Sequence, residues 1–363
     1  MQILMPKQRN FKSYLMKNIV LFYCFFLGFN LVSSQGIGNL LIAGEDANLL
    51  AKNYLNPAMN GLMSGMNSGW YSTAKTHKKF GFDITIGSSA SFTPAKDEMF
   101  QFISDQYSFI STADGSTELP TVLSDNDKQT TFNVSIPILG GDYKVGSFTM
   151  PGGVANDLLL NATPTPFIQF GLGLPFKTEV KLRYVPNVNY DSKVDAIMMG
   201  IGIQHDLTQY LGLVGKLPFS IAVLGAYTKA DIEYTIRDSN LSSSISSSNG
   251  LATFELNSWN VQAIGSLNLK IFTFYAGVGY NSGTSNFDIK GDYSLSYEVL
   301  DQNQNVVGTV SETISDPVNL DFSSSGSRAT LGARLNLLFF KIFADYTIQE
   351  YNTVTAGVAF SFR

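Results

Sequence analysis

Histidine and cysteine, the residues most used for proton transfer, nucleophilic attack and metal ligation, are nearly missing from this chain: His77, His205 and Cys24 are all there are. A hydrolase would need a serine beside a histidine that a third polar group orients. His77 stands in the basic stretch Lys75-Thr76-His77-Lys78-Lys79, and His205 precedes Asp206 at an expected turn. Neither position suits a membrane-embedded lipase, so no catalytic residue is assigned and the chain is expected not to be an enzyme. Two histidines without a partner cysteine give no metal-ligand spacing. Gly140-Gly141 and Gly152-Gly153 lack the strand–loop–helix context of a phosphate loop, so no cofactor is expected. What remains is charge set among apolar neighbours: Lys181, Arg183, Arg328 and Arg334, with Lys341. These could meet a carboxylate ligand; pairing with Glu179 and Asp345, or with a plug that fills the lumen, is the plainer expectation.

The frame for those charges starts at the N-terminus. Lys7, Arg9, Lys12 and Lys17 precede the apolar run Ile19 to Val32, which ends in Ser33-Ser34-Gln35. Basic, apolar and then small residues predict a signal peptide over 1–34. The run is too short for a helix crossing a bilayer, which takes about 20 residues. Cys24 lies inside it, behind Leu-Phe-Tyr rather than the small residues of a lipoprotein site, so the mature chain carries no thiol. Removing four cations takes the net charge from −5 to −9. That disfavours nucleic acid, whose binders need a basic face.

Further along, alternation dominates. Val354, Ala356, Val358, Phe360 and Phe362 interleave with Thr353, Thr355, Gly357, Ala359 and Ser361. Period 2 marks a strand with one apolar face. The same pattern recurs at Phe82–Phe92, Val180–Tyr184, Ala329–Leu337 and Phe340–Ile348. Hydrophobic residues make up 44% of the chain and charged ones only 15%, yet no helical span follows the leader. Apolar content carried on alternating strands predicts an all-β fold, a transmembrane antiparallel β-barrel whose outer face meets lipid. The terminal aromatics are similar to the assembly signal of outer-membrane barrels.

Thirteen strands can be counted, at 81–92, 130–139, 165–174, 177–185, 194–206, 219–236, 252–269, 271–283, 286–299, 306–320, 326–337, 340–348 and 352–363. Bacterial single-chain barrels have even numbers. The expectation is therefore fourteen, the last drawn from 106–112 or 143–150, with twelve as the alternative. Tracing back from a periplasmic C-terminus, turns at 175–176, 207–218, 270, 300–305 and 338–339 are expected on the periplasmic side and the serine-rich run 237–251 outside.

Before the strands, Ala47, Leu50, Ala51, Tyr54 and Leu55 share one helical face, behind Glu45 and Asp46 where the helix dipole favours acid. Asn56-Pro57-Ala58 is expected to stop this helix. Gly61, Gly65 and Gly69 then suit a segment folded into a confined space. The expected division is 1–34 leader, 35–80 short helical N-terminal plug, and 81–363 barrel.

Ala43-Gly44, Asp46-Ala47 and Asn56-Pro57-Ala58 resemble the N-terminal hatch of the long-chain fatty-acid transporter (FadL-type) outer-membrane family. Gly171 to Phe176 and Thr178 to Pro186 are similar to barrels of that group. The overall resemblance is nearest to uncharacterised barrels of Bacteroidota-type bacteria. It implies Asn56, Pro57 and Ala58 as a hatch element, a fourteen-stranded wall, and passive uptake of small hydrophobic compounds, fatty-acid-like or aromatic. The alternative is a structural or secretion-associated barrel without transport. Either way the expected location is the cell outer membrane and the expected partner its lipid, with a small hydrophobic ligand in the first case.

Overall fold

The computed structural model describes residues 45–138, 141–185, 194–212, 217–236, 245–300 and 306–362. The leader 1–34 with Cys24, and 237–244 of the serine-rich run, lie outside the described residues. Among the described residues no helix is long and apolar enough to cross a membrane.

Helix α1 (Glu45–Met66) opens the fold and β1 (Phe82–Phe92) follows it. Five strands then stand apart from the main sheet: β2 (Met99–Gln101), β3 (Ile110–Thr112), β4 (Glu118–Pro120), β5 (Thr130–Ile138) and β6 (Gly141–Met150). The main sheet resumes with β7 (Ala162–Leu174), β8 (Thr178–Val185), β9 (Val194–Asp206), β10 (Phe219–Thr235), β11 (Ile245–Asn268) and β12 (Phe272–Leu300). It ends with β13 (Val306–Ser315), β14 (Val318–Leu337), β15 (Phe340–Ile348) and β16 (Thr353–Phe362). Ten of these close an antiparallel ring in the order β1-β7-β8-β9-β10-β11-β12-β14-β15-β16, and Phe82 opposite Phe362 joins first strand to last.

Neither fourteen nor twelve strands is correct. The segment at 130–139 is β5, which pairs with β3 and β6 outside the ring. The two candidates for a fourteenth strand fall in the same small sheet. Residues 271–299 are not two strands but β12 alone, running unbroken for 29 residues. β14 likewise runs through the Ser323-Ser324-Ser325 interval that reads as a break, and β13 pairs only with the outer part of β12. The turn expected at 300–305 on the C-terminal side falls on residues 301–305, outside the described residues; the flanking pair Leu300–Val306 stands at the opposite end of the ring.

The reason for the miscount is an inversion of the side-chain pattern. On β10 the outward positions Phe219, Ile221, Val223 and Tyr227 are apolar, then Lys229, Asp231 and Glu233 follow. The inward face changes less: Ser220, Ala222, Leu224, Ala226 and Thr228 are small or apolar, and Ala230, Ile232 and Tyr234 continue it. On β11 the apolar-out stretch begins at Trp259 and on β12 it ends at Tyr280, two rings only 6.0 Å apart. An alternation that reverses sense midway looks like two strands when read as one face. Physically the switch marks a change of solvent: apolar-out below, polar-out above. From Phe219 to Tyr227 the apolar belt is about 20 Å tall, taking ~3.3 Å per residue and a tilt near 40°.

The ring is filled. From Pro57 to Ser68 every residue is buried, so this half of α1 is enclosed on all sides. Asn56-Pro57-Ala58 therefore does not end the helix, which continues for nine residues beyond the proline, to Met66. A mid-helix proline costs about 3 kcal/mol. Burial of Met59, Leu62, Met63 and Met66, each at most 4% exposed, outweighs that at about 1.5–3 kcal/mol per side chain. The helix lies against β7 through its glycines: a Cβ on Gly61 would come 2.7 Å from Thr163 Oγ1, and one on Gly65 2.2 Å from Thr165 Oγ1. Four helical residues rise about 6 Å and two strand residues about 6.6 Å, so helix and strand stay in step.

Residues 93–138 and 141–161 form a cap over the end of the ring where α1 begins. Phe102, Tyr107, Leu119, Phe132 and Phe148 of the cap share one core with α1 and the inner faces of the extended strands. Asp46 ties the two together: its carboxylate accepts the main-chain N–H groups of Ser108 (2.9 Å), Ile110 (3.2 Å) and Phe109. Tyr54 adds a bond from its hydroxyl to Gly152 O at 3.1 Å.

Candidate functional site

The lumen beside and below α1 holds most of the charge on the inner wall. Helix α1 ends with unsatisfied carbonyls and the negative end of its dipole, and carries no basic residue in its own last turn. The wall supplies the cations. Arg183 on β8 donates to Met66 O at 3.0 Å, Ser68 O at 3.0 Å and Gln169 Oε1 at 3.2 Å. Its guanidinium stacks between the rings of Trp70 at 4.1 Å and Phe167 at 4.2 Å. Arg328 on β14 donates to Asn67 O at 2.8 Å and Ser68 Oγ at 3.0 Å. Charged donors on several acceptors are what a fully buried guanidinium requires.

Below this layer the chain continues as an extended segment, and wall amides accompany it. Asn260 Nδ2 donates to Asn67 Oδ1 at 3.1 Å, and Tyr71 OH donates to Gln262 Oε1 at 3.1 Å. Gln204 Nε2 donates to Thr73 O and Ala74 O at 3.0 and 3.1 Å. Gly200 and Gly202 leave room for the Trp70 ring, which a Cβ on either would approach to about 3 Å. Arg334 reaches Ser72 Oγ at 3.2 Å, and Lys181 pairs with Glu179 at 2.6 Å.

Of the four cations expected in the lumen, Arg183, Arg328 and Arg334 all grip the plug, and Lys181 holds a wall carboxylate. Sequence reading did not single out Gln169, Gln204, Asn260 and Gln262, although each sits at an inward position of its strand. The hatch tripeptide marks where α1 becomes enclosed: Pro57 and Ala58 are buried and Asn56 is partly so. Outside the belt, in the cap, burial pushes the Tyr107 phenol up, keeping it protonated beside Asn53.

One apolar cavity lies in the capped half of the lumen, lined by Leu62 and Met66 of α1 and by Val185, Ala196, Met198, Ala230, Ile232 and Leu256 of the wall. At about 30 Å³ it is far smaller than the ~150 Å³ cavity that admits a benzene ring.

At the opposite, turn end, His77 does have a serine beside it. His77 Nε2 lies 2.9 Å from Ser361 Oγ, and Nδ1 lies 2.8 Å from Glu179 Oε2. His205 points away, bonding Thr178 Oγ1 at 2.9 Å and Tyr210 OH at 3.2 Å. His77, Asp83 and Glu179 also bring possible ligand atoms within 4.8 Å of one another. The Lys181 ammonium at Glu179 already serves as the cation of that corner.

The profile of a family described as a family of unknown function (DUF6588) matches residues 16–362. No protein of curated function matches. Solved structures similar to this chain include the attachment invasion locus protein Ail of Yersinia pestis, in complex with a heparin analogue. The identity is 10%, covering 78% of this chain and 100% of that one, with a TM-score of 0.26. The translocator domain of the autotransporter NalP from Neisseria meningitidis is 10% identical over 89% and 99%, at 0.25. A Pseudomonas aeruginosa FadL homologue is 10% identical over 84% and 96%, at 0.21. Likeness at this level carries no activity over to this chain, and FadL-type membership stays a resemblance.

Proposed function

We propose, for a chain that belongs to the DUF6588 family and inherits no assigned activity from it, a plugged outer-membrane β-barrel for passive uptake of small hydrophobic compounds. The apolar belt between Phe219 and Tyr227 on β10, and its counterparts on β11 and β12, supports a membrane location. With a signal peptide ahead of it, a closed barrel fits the outer membrane, with lipid as its main partner.

The observation that carries the uptake reading is the apolar cavity against Leu62 and Met66. Lower in the lumen the walls carry charge and amides; here they are aliphatic. In this closed state the cavity is too small for a fatty-acid chain or an aromatic ring, so passage requires α1 to give way. The glycine face at Gly61 and Gly65 makes that surface smooth, because no side chain there interlocks with β7.

Proteoliposomes test the reading. A fluorescent fatty acid should equilibrate faster across vesicles holding the wild-type protein than across empty ones, and Ala230→Phe, which fills the cavity, should remove most of the gain. Equal rates for fatty-acid and aromatic probes in wild-type and empty vesicles would exclude uptake. That outcome favours the second reading, a structural or secretion-associated barrel, which the anchoring of α1 at both ends also suits.

A further inference from the structure

The hydrogen-bonded chain Ser361–His77–Glu179 lies apart from the arginine contacts at the end of α1. The imidazole is fixed twice to one carboxylate: Nδ1 at 2.8 Å and the His77 main-chain N–H at 2.9 Å, both on Glu179 Oε2. That fixes the tautomer with hydrogen on Nδ1 and leaves Nε2, 2.9 Å from Ser361 Oγ, to take a proton. The His77 side chain is 13% exposed and that of Glu179 2%, so the base borders the lumen mouth and the carboxylate does not. Three separate elements, β16, the segment after α1 and β8, converge to make this arrangement.

We propose that Ser361, His77 and Glu179 form a hydrolytic triad for neutral carboxylic esters with an apolar acyl chain. The apolar part of that class follows from the rim: Phe80, Phe176, Leu338 and Phe339 at the same end are 57–94% exposed. The first three are held at positive φ, a conformation costing a bulky residue about 1–2 kcal/mol. Lys341 is the diagonal neighbour of Ser361 on the inner face, since Ser361 N donates to Phe339 O two residues away. A long side chain crosses that spacing, and Lys341 has no hydrogen-bond partner among the described residues. It also faces the Asp83 and Glu179 carboxylates, and in this proposal it is the cation on the inner face nearest a developing oxyanion at Ser361. Asp83, directly opposite Ser361, selects against anionic substrates.

The chemistry balances with water alone. Ser361 Oγ attacks the ester carbonyl as Nε2 takes its proton. The bond to the alcohol oxygen breaks, that oxygen takes the proton from the imidazolium, and an acyl ester remains on Ser361. Water, deprotonated by Nε2, attacks the acyl carbon. Ser361 Oγ leaves, recovers the proton, and the carboxylic acid departs. Glu179 is a positioning residue throughout.

The test is phosphonylation of the full chain folded in detergent, with folding checked independently by heat-modifiable mobility. A fluorophosphonate should modify Ser361, read by mass spectrometry. S361A, which loses one hydroxyl, should give no adduct, and H77Q should slow labelling at least about 100-fold. E179Q should slow it and displace its pH profile, with partial recovery in Glu179→Asp. Folded wild-type protein without an adduct at Ser361, or labelling unchanged in H77Q, overturns the proposal and leaves a plug anchor. Neither result depends on whether fatty acids cross the barrel.

Discussion

Arg183 and Arg328 stand diametrically opposite in the ring, five strands apart either way round, and both donate to Ser68: one to its carbonyl, the other to its hydroxyl. The C-terminal end of α1 is thus held across the full width of the barrel. The partners of both guanidinium groups are main-chain and neutral oxygens, so the helix end itself acts as the counter-charge.

Arg328→Met should destabilise the folded protein by about 1.5–3 kcal/mol, the worth of hydrogen bonds from a charged group together with the carbonyl left unmet. Urea unfolding in detergent measures it. Combined with Arg183→Met, the loss should differ from the sum of the singles by at least about 0.5 kcal/mol, because both act on one terminus. Additive losses would mean the two arginines hold independent parts of the plug.

The inversion of side-chain pattern predicts a position-dependent penalty along one strand. Leu331→Arg, outward in the lower part of β14, should cost about 2–4 kcal/mol of folding into lipid vesicles. Ser323→Arg, outward on the same strand above the switch, should be within about 0.5 kcal/mol of wild type. Similar penalties at both would place the boundary elsewhere.

Asp46 is the main polar tie between α1 and the cap, so Asp46→Ala should loosen the cap without opening the ring. Limited proteolysis at the exposed turn around Asp114 and Gly115 should accelerate several-fold, while heat-modifiable mobility persists. An unchanged cleavage rate would show that the shared apolar core holds the cap unaided.

What could be read from the chain follows from range. Val354 to Phe362 declared a strand because its signal lies in adjacent residues, and β15 and β16 fall where period 2 puts them. β12 was split because Tyr280 and Ser282 lie on either side of a solvent boundary, which a one-face reading takes for a chain break. Pro57 obeys a local rule only when nothing encloses the helix. The site was hidden by distance: Ser361 lies 284 residues from His77, and Arg328 lies 261 from Asn67. No spacing rule spans such gaps. The inward amides Gln169, Gln204 and Asn260 could have been noticed as polar positions, though not their destinations.

Helix α1 enters the ring beneath the cap, and the chain leaves it at the other end to begin β1, so the backbone passes lengthwise through its own barrel. This fixes an order of events during biogenesis. The seam between β1 and β16 joins the first strand of the ring to its last in chain order, and the ring cannot be sealed until that strand is in place. Either the wall wraps around a helix already laid down, or the helix must later be threaded through a finished pore behind a bulky cap. The first route asks far less of the chain, and makes the plug a mandrel on which the barrel is wound.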